Sequence, residues 1–153
     1  MKIEAKLAQM GLTLPAPGPA AGNYIGAVQV GNLLFVSGHG PRRQGGLYMT
    51  GKVGRDLTTE QAYEAARVVM LNCLATVQRE LGDLDRVQRI VKLLGMVNCT
   101  EEFTEQPKVI NGASDLLVEL YGEAGRHARS AVGMQQLPMN IPVEIEMIVE
   151  VEG

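Results

Sequence analysis

The last 25 residues, RSAVGMQQLPMNIPVEIEMIVEVEG, hold the side chains best suited to chemistry. Arg129 opens the stretch, a Leu137-Pro138 turn divides it, and an acidic strand closes it. At period two, Val143, Ile145, Met147, Val149 and Val151 point one way, and Glu144, Glu146, Ile148, Glu150 and Glu152 the other. A guanidinium can clamp a carboxylate through two parallel charge-assisted hydrogen bonds, which a lysine cannot reproduce. A glutamate nearby can take a proton from an attacking water. The same residues also fit a plainer reading, in which the strand face is solvated and Arg129 forms an ion pair bridging two strands. Taken alone, the residues leave both readings open.

Other signals are weaker. Residues 46–52, GLYMTGK, match most of a phosphate-binding loop, but Val53 offers no hydroxyl for magnesium and GRDL follows where a helix should start. His39 and His127 are the only histidines, and neither has a second ligand at metal spacing, so no metal is expected. Serine, histidine and aspartate form no recognisable triad. Arg42 and Arg43 sit in a Gly-rich loop that could hold an anion or simply be a solvated hairpin tip. Cys73 and Cys99 lack CxxC spacing and read as buried thiols of a reducing compartment.

Positioning these residues requires a regular frame. Residues 1–12 have the spacing of a short amphipathic helix, with Ile3, Leu7 and Met10 on one face, and residues 14–22 form a Pro/Gly-rich connector. Two strands, 24–30 and 33–37, are joined at Gly31-Asn32 as a tight hairpin. Residues 38–46 are an irregular loop, and residues 47–50 a short third strand. A long helix follows, capped by Thr58 with Gln61 as its box partner and ended by Gly82. Residues 90–97 are a buried strand, 100–122 carry a second long helix with Pro107 in its first turn, and 130–134 and 142–151 are strands. This order predicts a two-layer α+β domain, a mixed sheet with two helices on one face. The other face is left bare, and a closed homo-oligomer is expected to cover it.

The bulk numbers agree with one domain spanning residues 1–153. The chain is 46% hydrophobic and 20% charged, with 18 glycines, no tryptophan and a net charge of −3. A nucleic-acid partner would favour a basic patch, and none stands out. No apolar stretch approaches the ~20 residues of a membrane helix, and the N-terminus lacks a secretory pattern. A cytoplasmic location is expected.

Arg129-Ser130, the later Leu137-Pro138 and VEIE at 143–146 together resemble the signature of the RidA/YjgF family. GNYIGA at 22–27 stands where that family shows GPYSQA, LLFVSGHGP at 33–41 resembles its SGQxP strand end, and Asn111 matches its helical VN. The likeness runs in order from Gly22 to Val151. It implies a chorismate-mutase-like domain, a homotrimer with a small-molecule cleft between subunits, no cofactor, and hydrolysis of reactive 2-imino acids to 2-oxo acids and ammonia. By the same resemblance Arg129 clamps the substrate carboxylate and Glu144 positions or activates the water. Tyr24 lines the cleft from a neighbouring subunit, Ser37 and Gly38 offer backbone groups, and Asn111 sits beside the pocket. Glu146 shares the face of Glu144 and is open to either role.

The departures are as specific. Ala131 stands where the family has Cys or Thr in the pocket wall, Asn23-Tyr24-Ile25-Gly26 replaces Pro-Tyr-Ser-Gln, and His39-Gly40 replaces the usual residues after SG. These point to a divergent branch with a changed or broader substrate. Two alternatives are carried alongside the 2-imino acid hydrolase: a trimeric carboxylate-binding or chaperone-like protein without turnover, and an endoribonuclease, against which the acidic composition speaks.

Overall fold

Thr58 starts the element that organises the rest. Its hydroxyl accepts from the Gln61 amide at 3.1 Å while the Gln61 side chain accepts from the Thr58 amide at 2.9 Å, a reciprocal cap for two otherwise orphaned N–H groups. The helix it opens, α2 (Thr59–Leu81), ends at Gly82 in the left-handed conformation, φ +83°, which costs glycine little. The computed structural model describes residues 1–17, 22–43 and 46–153. Residues 18–21 of the expected connector and 44–45 of the expected loop lie outside the described residues.

The other helices are α1 (Lys2–Gln9) and α3 (Gln106–Tyr121), the latter with proline in its first turn as expected. The main sheet runs β1 (Ala27–Val30), β2 (Leu33–His39), β7 (Val143–Val151), β5 (Val87–Asn98) and β6 (Ala128–Met134) in spatial order. Only the β5–β6 pair is parallel, so the sheet is mixed. A small ribbon of β3 (Arg42–Arg43) and β4 (Gly46–Leu47) stands apart. The expected third strand at 47–50 is thus shorter and starts earlier, and Arg42 and Arg43 pair as strand rather than loop.

Along β7 the alternation reads as expected: Val143, Ile145, Met147, Val149 and Val151 are buried beneath the helices. The glutamates occupy the opposite face. That burial is the main adhesive between layers, at about 25 cal/mol per Å² of apolar surface removed from water. Helices α2 and α3 meet so closely that a Cβ on Gly112 would overlap the Tyr63 carbonyl oxygen and lie 2.9 Å from its carbon. Among the described residues no helix covers the outer face of the sheet. Val28, Val30, Phe35 and Val132 lie exposed on it, an apolar area unusual for a surface in water. Among the described residues no helix is long and apolar enough to cross a membrane.

Candidate active site in two halves

The first half-site lies where β2 leaves the sheet. Between Val36 and His39 the β2–β7 register slips, a bulge of the kind that re-aims side chains. Beside it is a cavity of about 230 Å³ lined by residues that include Tyr24, Ser37, Gly38, His39, Arg79 and Glu144. Glu144 lies on the open face of β7, half-buried, with its carboxylate over Gly38. A Cβ on Gly38 would overlap Oε2 and lie 3.1 Å from Cδ and 3.3 Å from Cγ, so glycine is what lets the carboxylate rest there. Burial first, and the like charge of Glu146 second, push the Glu144 carboxyl above its ordinary value. A carboxylate so raised is a stronger proton acceptor at neutral pH.

His39 closes the wall of this half. Its Nδ1 is 2.5 Å from the Ser37 carbonyl oxygen and its Nε2 is 2.8 Å from Thr76 Oγ1 on α2. A carbonyl only accepts, so Nδ1 carries the hydrogen, and in the neutral ring Nε2 accepts from the threonine. Burial lowers the His39 pKa, which favours that neutral form. His39 therefore fastens the bulge to α2 and keeps Gly38 in place. Ser37 Oγ is also engaged, donating to the Ile25 carbonyl at 2.6 Å.

The second half-site lies at the sheet's far edge. Arg129 on β6 is paired with Leu93 and so points to the helix side. One of its terminal nitrogens donates to Asn111 Oδ1 at 2.8 Å and to Ser114 Oγ at 3.1 Å. His127 Nε2 is 2.9 Å from the same serine oxygen, and its Nδ1 is 2.7 Å from the Gly125 carbonyl oxygen. The polarity is again set by the carbonyl: Nδ1–H donates to it, the Ser114 hydroxyl donates to Nε2, and Arg129 donates to Ser114. Among the described residues no carboxylate pairs with Arg129. The ion-pair reading of Arg129 therefore fails, and its charge is held in place by neutral oxygens. Ala131, two residues on, packs against the core.

Arg129 and Glu144 do not meet within one chain. Strand β5 separates them, with Leu93 opposite Arg129 and Met96 opposite Glu144. Two strand spacings and three residues along the strand put their Cα atoms roughly 14 Å apart, and they project from opposite faces. Tyr24, Ser37 and Gly38 belong with Glu144, while Asn111 and Ala131 belong with Arg129.

Three wall residues escaped the sequence reading: Asn72, Thr76 and Arg79, all on α2. Asn72 Nδ2 holds the Gly40 and Arg42 carbonyls at 3.3 and 3.0 Å. The available signal was their spacing, which puts them on one helical stripe. Asn72 and Thr76 are polar yet buried, at 9% and 2% exposure. The altered GNYIGA segment also finds its reason here. A Cβ on Gly26 would lie 3.0 Å from Thr76 Cγ2 and 3.1 Å from an Arg79 terminal nitrogen, so the glycine makes room for both.

The family model described as "YjgF/chorismate mutase-like, putative endoribonuclease" matches residues 4–151. Protein TCP17 of Trypanosoma cruzi is 46% identical, the match covering 99% of this chain and 96% of that protein. A structure from Shewanella oneidensis named a "putative endoribonuclease" superposes with a TM-score of 0.96 at 37% identity, covering 99% of this chain and 100% of that one. The RidA of an Antarctic Psychrobacter superposes less closely, with a TM-score of 0.62 at 27% identity over 91% of this chain and 96% of that one.

Proposed function

Since this chain belongs to the RidA/YjgF family, we propose that it hydrolyses reactive 2-imino and enamine acids to 2-oxo acids and ammonia, as a homotrimer without cofactor. The observation that carries this reading is Arg129, a guanidinium fixed by Asn111 and Ser114 and, among the described residues, paired with no carboxylate. Such a group is preorganised to receive an organic acid. Because Glu144 lies on the other face, two strands over, a complete site needs the Arg129 half of one subunit to face the Glu144 half of another. The bare apolar face of the sheet supplies a surface for that association.

In the assembled cleft Arg129 would take the substrate carboxylate and leave the imine carbon toward Glu144. The Glu144 carboxylate accepts a proton from water as the oxygen attacks carbon. The resulting carbinolamine takes that proton from Glu144 onto nitrogen and collapses, its hydroxyl proton passing back to the freed carboxylate as ammonia leaves and the carbonyl forms. The net reaction is imine plus water to ketone plus ammonia. Holding both reactants in register accounts for much of the acceleration. Two buried free cysteines support a reducing, cytoplasmic setting, and we treat residues 1–153 as one domain.

One observation favours binding without turnover as a second reading: the wall beside Arg129 is apolar at Ala131, which packs against the core. The deciding experiment generates 2-iminobutanoate with an amino-acid oxidase and traps it with semicarbazide. Wild-type protein is expected to lower semicarbazone formation, and Arg129→Ala to leave it unchanged. If Arg129→Ala competes as well as wild type, the clamp is wrong. If neither competes while calorimetry detects 2-oxobutanoate binding, the second reading replaces the first. Light scattering that finds a monomer would remove the composite site.

A further inference from the structure

The cavity beside Glu144 carries more positive charge than monocarboxylate chemistry uses. Its lining includes two arginines, Arg42 and Arg79, and a single acidic residue, Glu144, in a chain whose net charge is −3. Both arginines are placed by the fold. The Arg42 carbonyl accepts from Asn72 at 3.0 Å, which fixes the backbone of that residue against α2. Arg79 lies over Gly26, where any side chain would lie 3.1 Å from its terminal nitrogen.

Neither arginine is neutralised by the cavity itself. Among the described residues Glu144 pairs with neither, and Arg42 has no ion pair. Arg79 meets Glu80 only through Nε at 3.8 Å, with both side chains well exposed, a contact worth little in water. His39 adds little positive charge, because burial lowers its pKa. A partly enclosed pocket concentrates the field of such charges and draws anions to it.

Resting on the reading given under Proposed function, we infer that the substrate carries a second acidic group in its side chain. Arg129 receives the carboxylate next to the imine, and Arg79 with Arg42 receives the distal one across the cavity. The substrate class is therefore a dicarboxylic 2-imino acid, the kind released by oxidation or elimination of an acidic amino acid. A volume of about 230 Å³ leaves room for such a chain.

Calorimetry with 2-oxoglutarate and 2-oxobutanoate as stable probes tests this without requiring turnover. The wild-type oligomer is expected to bind the dicarboxylate about tenfold tighter at low salt, with the preference shrinking as salt is added. Arg79→Gln is expected to cut that ratio by at least fivefold, and Arg42→Gln by less. A merely structural role for Arg79 would weaken both ligands alike and leave the ratio intact. Equal affinities in the wild type, or an unchanged ratio in Arg79→Gln, would overturn the inference while the monocarboxylate reading survived. Binding of neither probe, or binding indifferent to Arg129→Ala, would overturn both.

Discussion

Substituting Gly38 by alanine separates the position of the Glu144 carboxylate from the stability of the protein. The added Cβ would overlap Glu144 Oε2 and crowd Cδ at 3.1 Å and Cγ at 3.3 Å. Ordinary contact begins at 3.4 Å, so the carboxylate must retreat by about 1 Å or leave its rotamer. The obstructing atoms are the far end of a flexible side chain, and Gly38 is not among the glycines with positive φ. An off-rotamer side chain costs about 0.5–1.5 kcal/mol. Reducing the freedom of the unfolded chain returns about 0.4–1 kcal/mol, so the melting temperature should move by only a few degrees. Activity is another matter, because a misplacement of about 1 Å can cost about a hundredfold in rate. The assay pairs thermal unfolding with semicarbazide competition on the same preparation. A variant with wild-type melting and wild-type competition would refute the claim that Glu144 acts from its place over Gly38.

Three further outcomes are expected. Glu144 has a folded pKa above its ordinary value of 4.5, so its ionisation opposes folding: the native state is favoured below the unfolded pKa and loses that advantage as pH rises through the folded value. Glu144→Gln should therefore stabilise the fold at neutral pH, with a gain that fades as urea titrations are taken below about pH 4.5, while hydrolysis is lost. Gly112→Ala drives a Cβ into the Tyr63 carbonyl; because backbone cannot step aside as a side chain can, it should cost about 3 kcal/mol in chemical denaturation. Ser114→Ala removes both the acceptor for Arg129 and the donor to His127. It should weaken 2-oxobutanoate binding about three- to tenfold by calorimetry, roughly the net worth of one ordinary hydrogen bond, and Ser114→Thr should restore most of it.

The frame of this protein was readable from local rules. The capping box at Thr58, the left-handed Gly82, the Gly31-Asn32 hairpin and the period-two pattern of residues 143–151 each depend on neighbours in sequence, and each formed where expected. Segment ends moved by a few residues because tertiary packing extends or trims them, as where β5 grew to Val87–Asn98. Arg129, Glu144 and Asn111 were singled out in the sequence by residue type and motif. Their separation was not, since the face and distance of Arg129 relative to Glu144 depend on β5 lying between β7 and β6, a long-range pairing that no local pattern encodes. The same holds for the second cavity wall. Asn72, Thr76 and Arg79 look like the polar edge of a helix until the β2 bulge brings His39 and Gly38 against them. Local periodicity determines which way a side chain points along its own element. Which other charges it meets is decided only when distant segments share a sheet or a layer, and that is where the chemistry of this chain resides.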